Sequence, residues 1–166
     1  MKMYSTKYFG EFCFNEGDED TVINSKIKVN SCDALKDVLI LLNNNCKLSG
    51  KTDEFIKIFD DYYEINKNGK NEIINNYRNG GVIKEYFEIC YKELDQEILE
   101  QTFGTKEYDN INIEEIIESL DLTGLVFDYN DNEIETFIMY IILDNLITMK
   151  INKEYKLSGE MYIYDN

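Results

Sequence analysis

Four apolar runs near the C-terminus, Leu125-Val-Phe-Asp-Tyr129, Ile134-Glu-Thr-Phe-Ile-Met-Tyr-Ile-Ile-Leu143, Leu146-Ile-Thr-Met-Lys-Ile-Asn152 and Tyr155-Lys-Leu-Ser-Gly-Glu-Met-Tyr-Ile-Tyr164, are separated by short polar stretches at Asn130-Asp131-Asn132, Asp144-Asn145 and Lys153-Glu154. Runs of this length rich in β-branched and aromatic residues, bounded by short polar turns, read as antiparallel strands joined by hairpins. Asp144-Asn145 has the length of a two-residue hairpin loop. Gly159 interrupts the alternation of the last run and marks a bulge. The expectation is a four-strand meander.

Upstream the period changes from two to about 3.6. Thr52 opens a segment with Asp53 and Glu54 in its first turn and Phe55, Ile58, Phe59 and Tyr62 on one face. Asn68-Gly69 punctuates it, and Ile73, Ile74 and Tyr77 make a further short stripe that ends at Asn79-Gly80-Gly81. From Val82 to about Phe103, Ile83, Phe87, Cys90, Leu94 and Ile98 step by three or four, which predicts one long helix ended by Gly104. Asn112 with Glu115 resembles a capping box ahead of Ile116, Ile117 and Leu120. Nearer the N-terminus, Ser31, Asp33, Leu35, Val38, Leu39 and Leu42 predict a capped helix up to Asn43-Asn44-Asn45. Tyr4 to Phe14, around Phe9-Gly10, suits a strand or tight hairpin, and Thr21 to Val29 a half-buried strand. Strands, then helices, then strands imply one α+β domain over residues 1–166, with two N-terminal strands, about five central helices and the C-terminal meander.

Composition removes whole classes of chemistry. The chain has 166 residues and no histidine, so a Ser-His-Asp triad, a Cys-His pair and every imidazole metal site are excluded. Cys13, Cys32, Cys46 and Cys90 form no C-x-x-C, and Met1 to Gly10 has no apolar signal core, which gives a reducing, cytoplasmic setting as the expectation. The apolar runs Val38 to Leu42 and Phe137 to Leu143 fall far short of the roughly 20 residues that cross a bilayer. Asp128 to Glu133 begins like a calcium loop, but Glu133 stands where the loop needs glycine and Met139 where it needs a bidentate Glu. An acidic hairpin turn is the better reading, and no cofactor or metal is expected. Cys90, on the apolar stripe, is a core thiol rather than a nucleophile.

The net charge is -16, from 33 acidic and 17 basic residues. Between Glu85 and Met149 the only basic residues are Lys92 and Lys106. Such a one-sign field speeds encounter with a basic partner and repels nucleic acid and anionic membrane. The candidate partner-binding residues are Glu114, Glu115, Glu118, Asp121, Asp128, Asp131, Glu133 and Glu135, with Tyr62, Tyr63, Tyr140, Tyr162 and Tyr164 as candidate aromatic anchors. No catalytic residue is expected among them.

Ile113-Glu-Glu-Ile-Ile-Glu-Ser-Leu120, Asp121-Leu-Thr-Gly-Leu-Val-Phe-Asp-Tyr129 and Phe137-Ile-Met-Tyr-Ile-Ile-Leu-Asp144, together with Phe9-Gly10, resemble a bacterial family of small acidic domains with Phe-Gly and Phe-Asp-Tyr strand motifs. That family in turn resembles the immunity proteins encoded beside polymorphic and contact-dependent toxins. The resemblance implies a non-catalytic cytoplasmic inhibitor that occludes the active site of a cationic toxin, for instance a nuclease. Two other functions fit the same residues: a housekeeping protein-interaction domain, and a hydrolase using carboxylates and a divalent metal.

Overall fold

A computed structural model describes residues 2–14, 21–28, 35–42, 52–130 and 133–164. In chain order the elements are strands β1 (Lys2–Thr6), β2 (Gly10–Phe14), β3 (Thr21–Lys28) and β4 (Leu35–Leu42), then helices α1 (Thr52–Asp60), α2 (Tyr62–Arg78), α3 (Val82–Glu93), α4 (Gln96–Phe103) and α5 (Ile113–Ser119), then strands β5 (Leu122–Asn130), β6 (Glu133–Ile142), β7 (Asn145–Ile151) and β8 (Leu157–Tyr164). The α+β class, with its N-terminal strands, helices and C-terminal antiparallel meander, is as the sequence implies. Two compact units result, Met1–Gly69 with Asp121–Asn166, and Lys70–Leu120.

In the first unit β1 and β2 form a hairpin, and six strands form one sheet in the order β3-β4-β5-β6-β7-β8. All pairings in that sheet are antiparallel except β4 with β5. Parallel neighbours need a crossover, and the chain between Leu42 and Leu122 supplies it.

The helix expected at Ser31 to Leu42 is instead strand β4, with Ser31 and Asp33 outside the described residues. Leu35-Lys-Asp-Val-Leu-Ile-Leu-Leu42 is a short, nearly continuous apolar run, which periodicity alone cannot divide between a buried strand and a buried helix. Pairing with both β3 and β5 decides it, and Val38 and Ile40 point into the core.

The β6–β7 turn falls on Leu143 and Asp144, one residue before the expected pair, and both have positive φ (46° and 68°), as a type I′ loop requires. β8 starts at Leu157 rather than Tyr155, and its pairing with β7 slips around Gly159, the expected bulge site.

The inner face carries Leu125, Phe127, Ile138, Tyr140, Ile147 and Met149, all fully buried. Phe127 meets Phe59 of α1 (ring centroids 5.6 Å apart), and Phe59 in turn meets Phe9 (5.2 Å). Polar bonds fix the start of α2: the Tyr62 hydroxyl donates to the Leu122 carbonyl (3.0 Å), and Asn66 Oδ1 accepts from the Leu122 N–H (3.2 Å). The Tyr140 hydroxyl donates to the Asn66 carbonyl (3.0 Å). Asn68-Gly69 does not end the helix; Gly69 gives Tyr140 room, since a Cβ there would lie 2.2 Å from the Tyr140 hydroxyl.

In the second unit the single helix expected from Val82 to Phe103 is two helices. Leu94 and Asp95 are extended, and the Leu99 N–H bonds the Asp95 carbonyl to start α4. The break shifts the helical phase, so Leu99 is buried (3% exposed) and Ile98, on the expected stripe, is 43% exposed. Gly104 ends α4 in the left-handed conformation. Phe87 lies among Tyr77, Tyr86 and Phe103. Asn112 caps α5, its Oδ1 accepting from the Glu115 N–H (3.2 Å), while its amide donates to the Glu115 carboxylate (3.0 Å).

Candidate functional site

Glu114, Glu115 and Glu118 lie on α5 in the second unit; Asp121, Asp128, Glu133 and Glu135 belong to the first, and Asp131 falls outside the described residues. Arg78 donates twice to Glu114, at 2.7 Å each, and the carboxyl is held below its usual value chiefly by that bonding. Glu115 is bonded to Asn112, whereas Glu118 and Glu133 are exposed. Asp128 and Glu135 stand opposite one another across β5 and β6, and Lys150 forms an ion pair with Glu135. Two of these carboxylates, Glu133 and Glu135, line a cavity of about 470 Å³.

The cavity is charge-compensated. Lys150 bonds Glu135, Lys153 lies 3.9 Å from Glu54, and Lys57 bonds Asp61 (2.7 Å) and the Tyr155 hydroxyl (3.1 Å). Tyr155 donates to Asp61 in turn. Hydrogen bonds from Lys57, then Tyr155, hold the Asp61 carboxyl below its usual value. Tyr155 is buried with φ of 57° in a turn built by Asn152, whose Oδ1 accepts from the N–H groups of Glu154 and Lys156 (3.0 Å each). Among the described residues no cluster of three or more Cys, Asp or Glu could hold a metal ion.

The outer face of the C-terminal sheet carries aliphatic and aromatic side chains beside the Lys150–Glu135 pair. Strand register places Ile141 opposite Leu146 and Leu146 opposite Tyr164, a row crossing β6, β7 and β8. The next row is Met139, Thr148 and Tyr162. Met139 reaches across Gly124, where a Cβ would meet its methyl at 2.1 Å, and is buried. Ile141, Tyr162 and Tyr164 remain 45%, 48% and 52% exposed. The rings of Tyr162 and Tyr164 stack with centroids 6.2 Å apart and planes 29° apart. The Tyr162 hydroxyl donates to Glu160 (2.9 Å), which holds the phenol above its usual pKa.

Of the candidate anchors, Tyr162 and Tyr164 are therefore surface residues, Tyr63 is half-buried, and Tyr62 and Tyr140 belong to the core, where burial raises both phenols. Ile141, Leu146 and Glu160 were not among the expected site residues. Their signal was the phase of the alternation, read together on adjacent strands. Cys90 is half-buried, and burial is the main cause that raises its thiol.

The α+β fold thus carries paired charges in its cavity and three exposed large apolar or aromatic residues, Ile141, Tyr162 and Tyr164, on its C-terminal sheet. Residues 66–157, from α2 to the first residue of β8, match the PCI domain, and the chain belongs to that family. No curated protein and no solved structure matches it. PCI domains are eukaryotic scaffold domains that mediate protein–protein interactions in complexes. The family corrects the resemblance to bacterial small acidic domains: neither a toxin-immunity role, nor a toxin partner, nor a bacterial origin has support. The Phe-Gly and Phe-Asp-Tyr motifs that carried that resemblance are strand and turn residues shaped by packing, with Phe9 and Phe127 in the core. Among the described residues no helix is long and apolar enough to cross a membrane.

Proposed function

We propose that this chain is a non-catalytic protein-interaction domain that joins a basic protein partner in a larger assembly. Membership of the PCI family carries the reading. The exposed side chains of Ile141, Tyr162 and Tyr164, with half-buried Leu146 between Ile141 and Tyr164, support it, because aromatic and aliphatic groups left in water favour a protein interface. The net charge of -16 supports a basic partner through complementary attraction and faster encounter. Chemical cross-linking of the tagged chain in its native cell, followed by reconstitution with the purified cross-linked protein, tests this. A stoichiometric complex whose association rate falls steeply with salt is expected. A chain that stays monomeric with every cross-linked protein overturns it.

A further inference from the structure

We infer that Tyr162, Tyr164 and Glu160 form a seat for an arginine or lysine side chain carried by an extended, otherwise apolar segment of the partner, an inference that rests on the interaction-domain reading. Two stacked rings, on residues each about half exposed, stand on the outer side of β8. A cation is attracted to such faces within about 6 Å of a ring centroid, because the π-cloud is negative there. Glu160 lies on the same outward phase of β8 and is fixed by the Tyr162 hydroxyl, so a carboxylate stands beside the ring. Asp144, exposed in the β6–β7 turn, adds negative charge at the end of the sheet where Tyr164 pairs with Leu146. On the neighbouring outward positions Lys150 is already matched by Glu135. The local charge is thus negative and the local surface apolar.

The occupant follows from that combination. A guanidinium or ammonium group meets Glu160 and the two rings, and its flanking apolar side chains cover Ile141 and Leu146 on the adjoining strands. A second copy of the chain is the poorer fit, since each copy carries a charge of -16 and would bring like charges together.

The probe is a blocked heptapeptide with valine, arginine, valine and valine at positions 1, 3, 5 and 7, which share one face when extended, and serine between them; it is titrated into the isotope-labelled full chain by NMR, with the peptide carrying glutamate in place of the arginine as the comparison. The arginine peptide is expected to move the ring resonances of Tyr162 and Tyr164 saturably, and the glutamate peptide to leave them unmoved. Glu160→Lys is expected to weaken the arginine peptide about tenfold, the size of a single charge-aided cation–ring contact. Tyr162→Phe keeps the ring but frees Glu160, so it should bind more weakly than the wild type and more tightly than Tyr164→Ala. Equal responses to the two peptides, or unchanged binding in Glu160→Lys, overturn the inference; the wild-type comparison decides it even where a variant unfolds. A concentration-dependent dimer lost in Tyr164→Ala, without peptide binding, overturns it in favour of a second copy. If the reconstituted complex survives Glu160→Lys, this seat fails and the interaction reading stands. If the peptide binds but no partner assembles, the interaction reading fails alone.

Discussion

Gly69 sits inside α2, where alanine would ordinarily be the better helix former by about 1 kcal/mol. The Tyr140 hydroxyl reverses that preference: it occupies the space a methyl group would need, and it is held there by the Asn66 carbonyl. Gly69→Ala should therefore destabilise the fold by about 1–3 kcal/mol, the usual range for forcing a carbon into a filled core. Tyr140→Phe alone should cost about 1 kcal/mol for the lost hydrogen bond. Together they should cost less than their sum, because removing the hydroxyl relieves the clash; urea unfolding of the four proteins measures the coupling. Asp61 behaves differently. Its folded pKa is lowered by Lys57 and Tyr155, so its contribution is present above the ordinary carboxylate range and fades as pH falls through the lowered folded value. Asp61→Asn should flatten the loss of thermal stability below about pH 4, as followed by circular dichroism.

At the scale of elements, the break at Leu94-Asp95 has a direct test. Leu99→Ala should cost about 2–5 kcal/mol, whereas Ile98→Ala should stay within about 0.5 kcal/mol. The reverse order, read from denaturant midpoints, would restore the single unbroken helix. Asn112→Ala should cost about 1 kcal/mol and loosen α5, visible as faster amide exchange there. This cap was legible because it is a local side-chain rule. The C-terminal strands were legible because alternation and turn residues agree. β4 was not, because Val38 to Leu42 is apolar at every position and only its neighbours in the sheet choose its conformation. Of the candidate site, exposure on β8 could be suspected from alternation, but the row joining Ile141, Leu146 and Tyr164 depends on register across three strands. The acidic candidates were found by charge alone, which cannot anticipate that Arg78 already holds Glu114.

For the whole molecule, the many tyrosines set the alkaline limit. Burial is the leading cause that raises the phenols of Tyr62, Tyr140 and Tyr155, and it pushes Tyr108 up to about 12. A raised folded pKa leaves stability intact below the unfolded value near about 10 and removes it as pH rises toward the folded value. The melting temperature should hold steady to about pH 10 and then fall, with tyrosinate absorbance appearing together with unfolding. A smooth rise in tyrosinate absorbance well before unfolding would contradict the burial of these rings.

The parallel pairing of β4 with β5 also bears on how the protein is made. Leu39 meets Gly124 and Leu42 meets Phe127, so β4 finds this partner only after helices α1 to α5 have left the ribosome. Closing so long a loop before its contacts form slows folding. Until then the edge of β4, with Leu39, Ile40 and Leu41, is unpaired and open to the wrong strand. The period between emergence of β4 and emergence of β5 is thus when the nascent chain most needs a chaperone, and ribosome stalling before Leu122 should increase its capture by one.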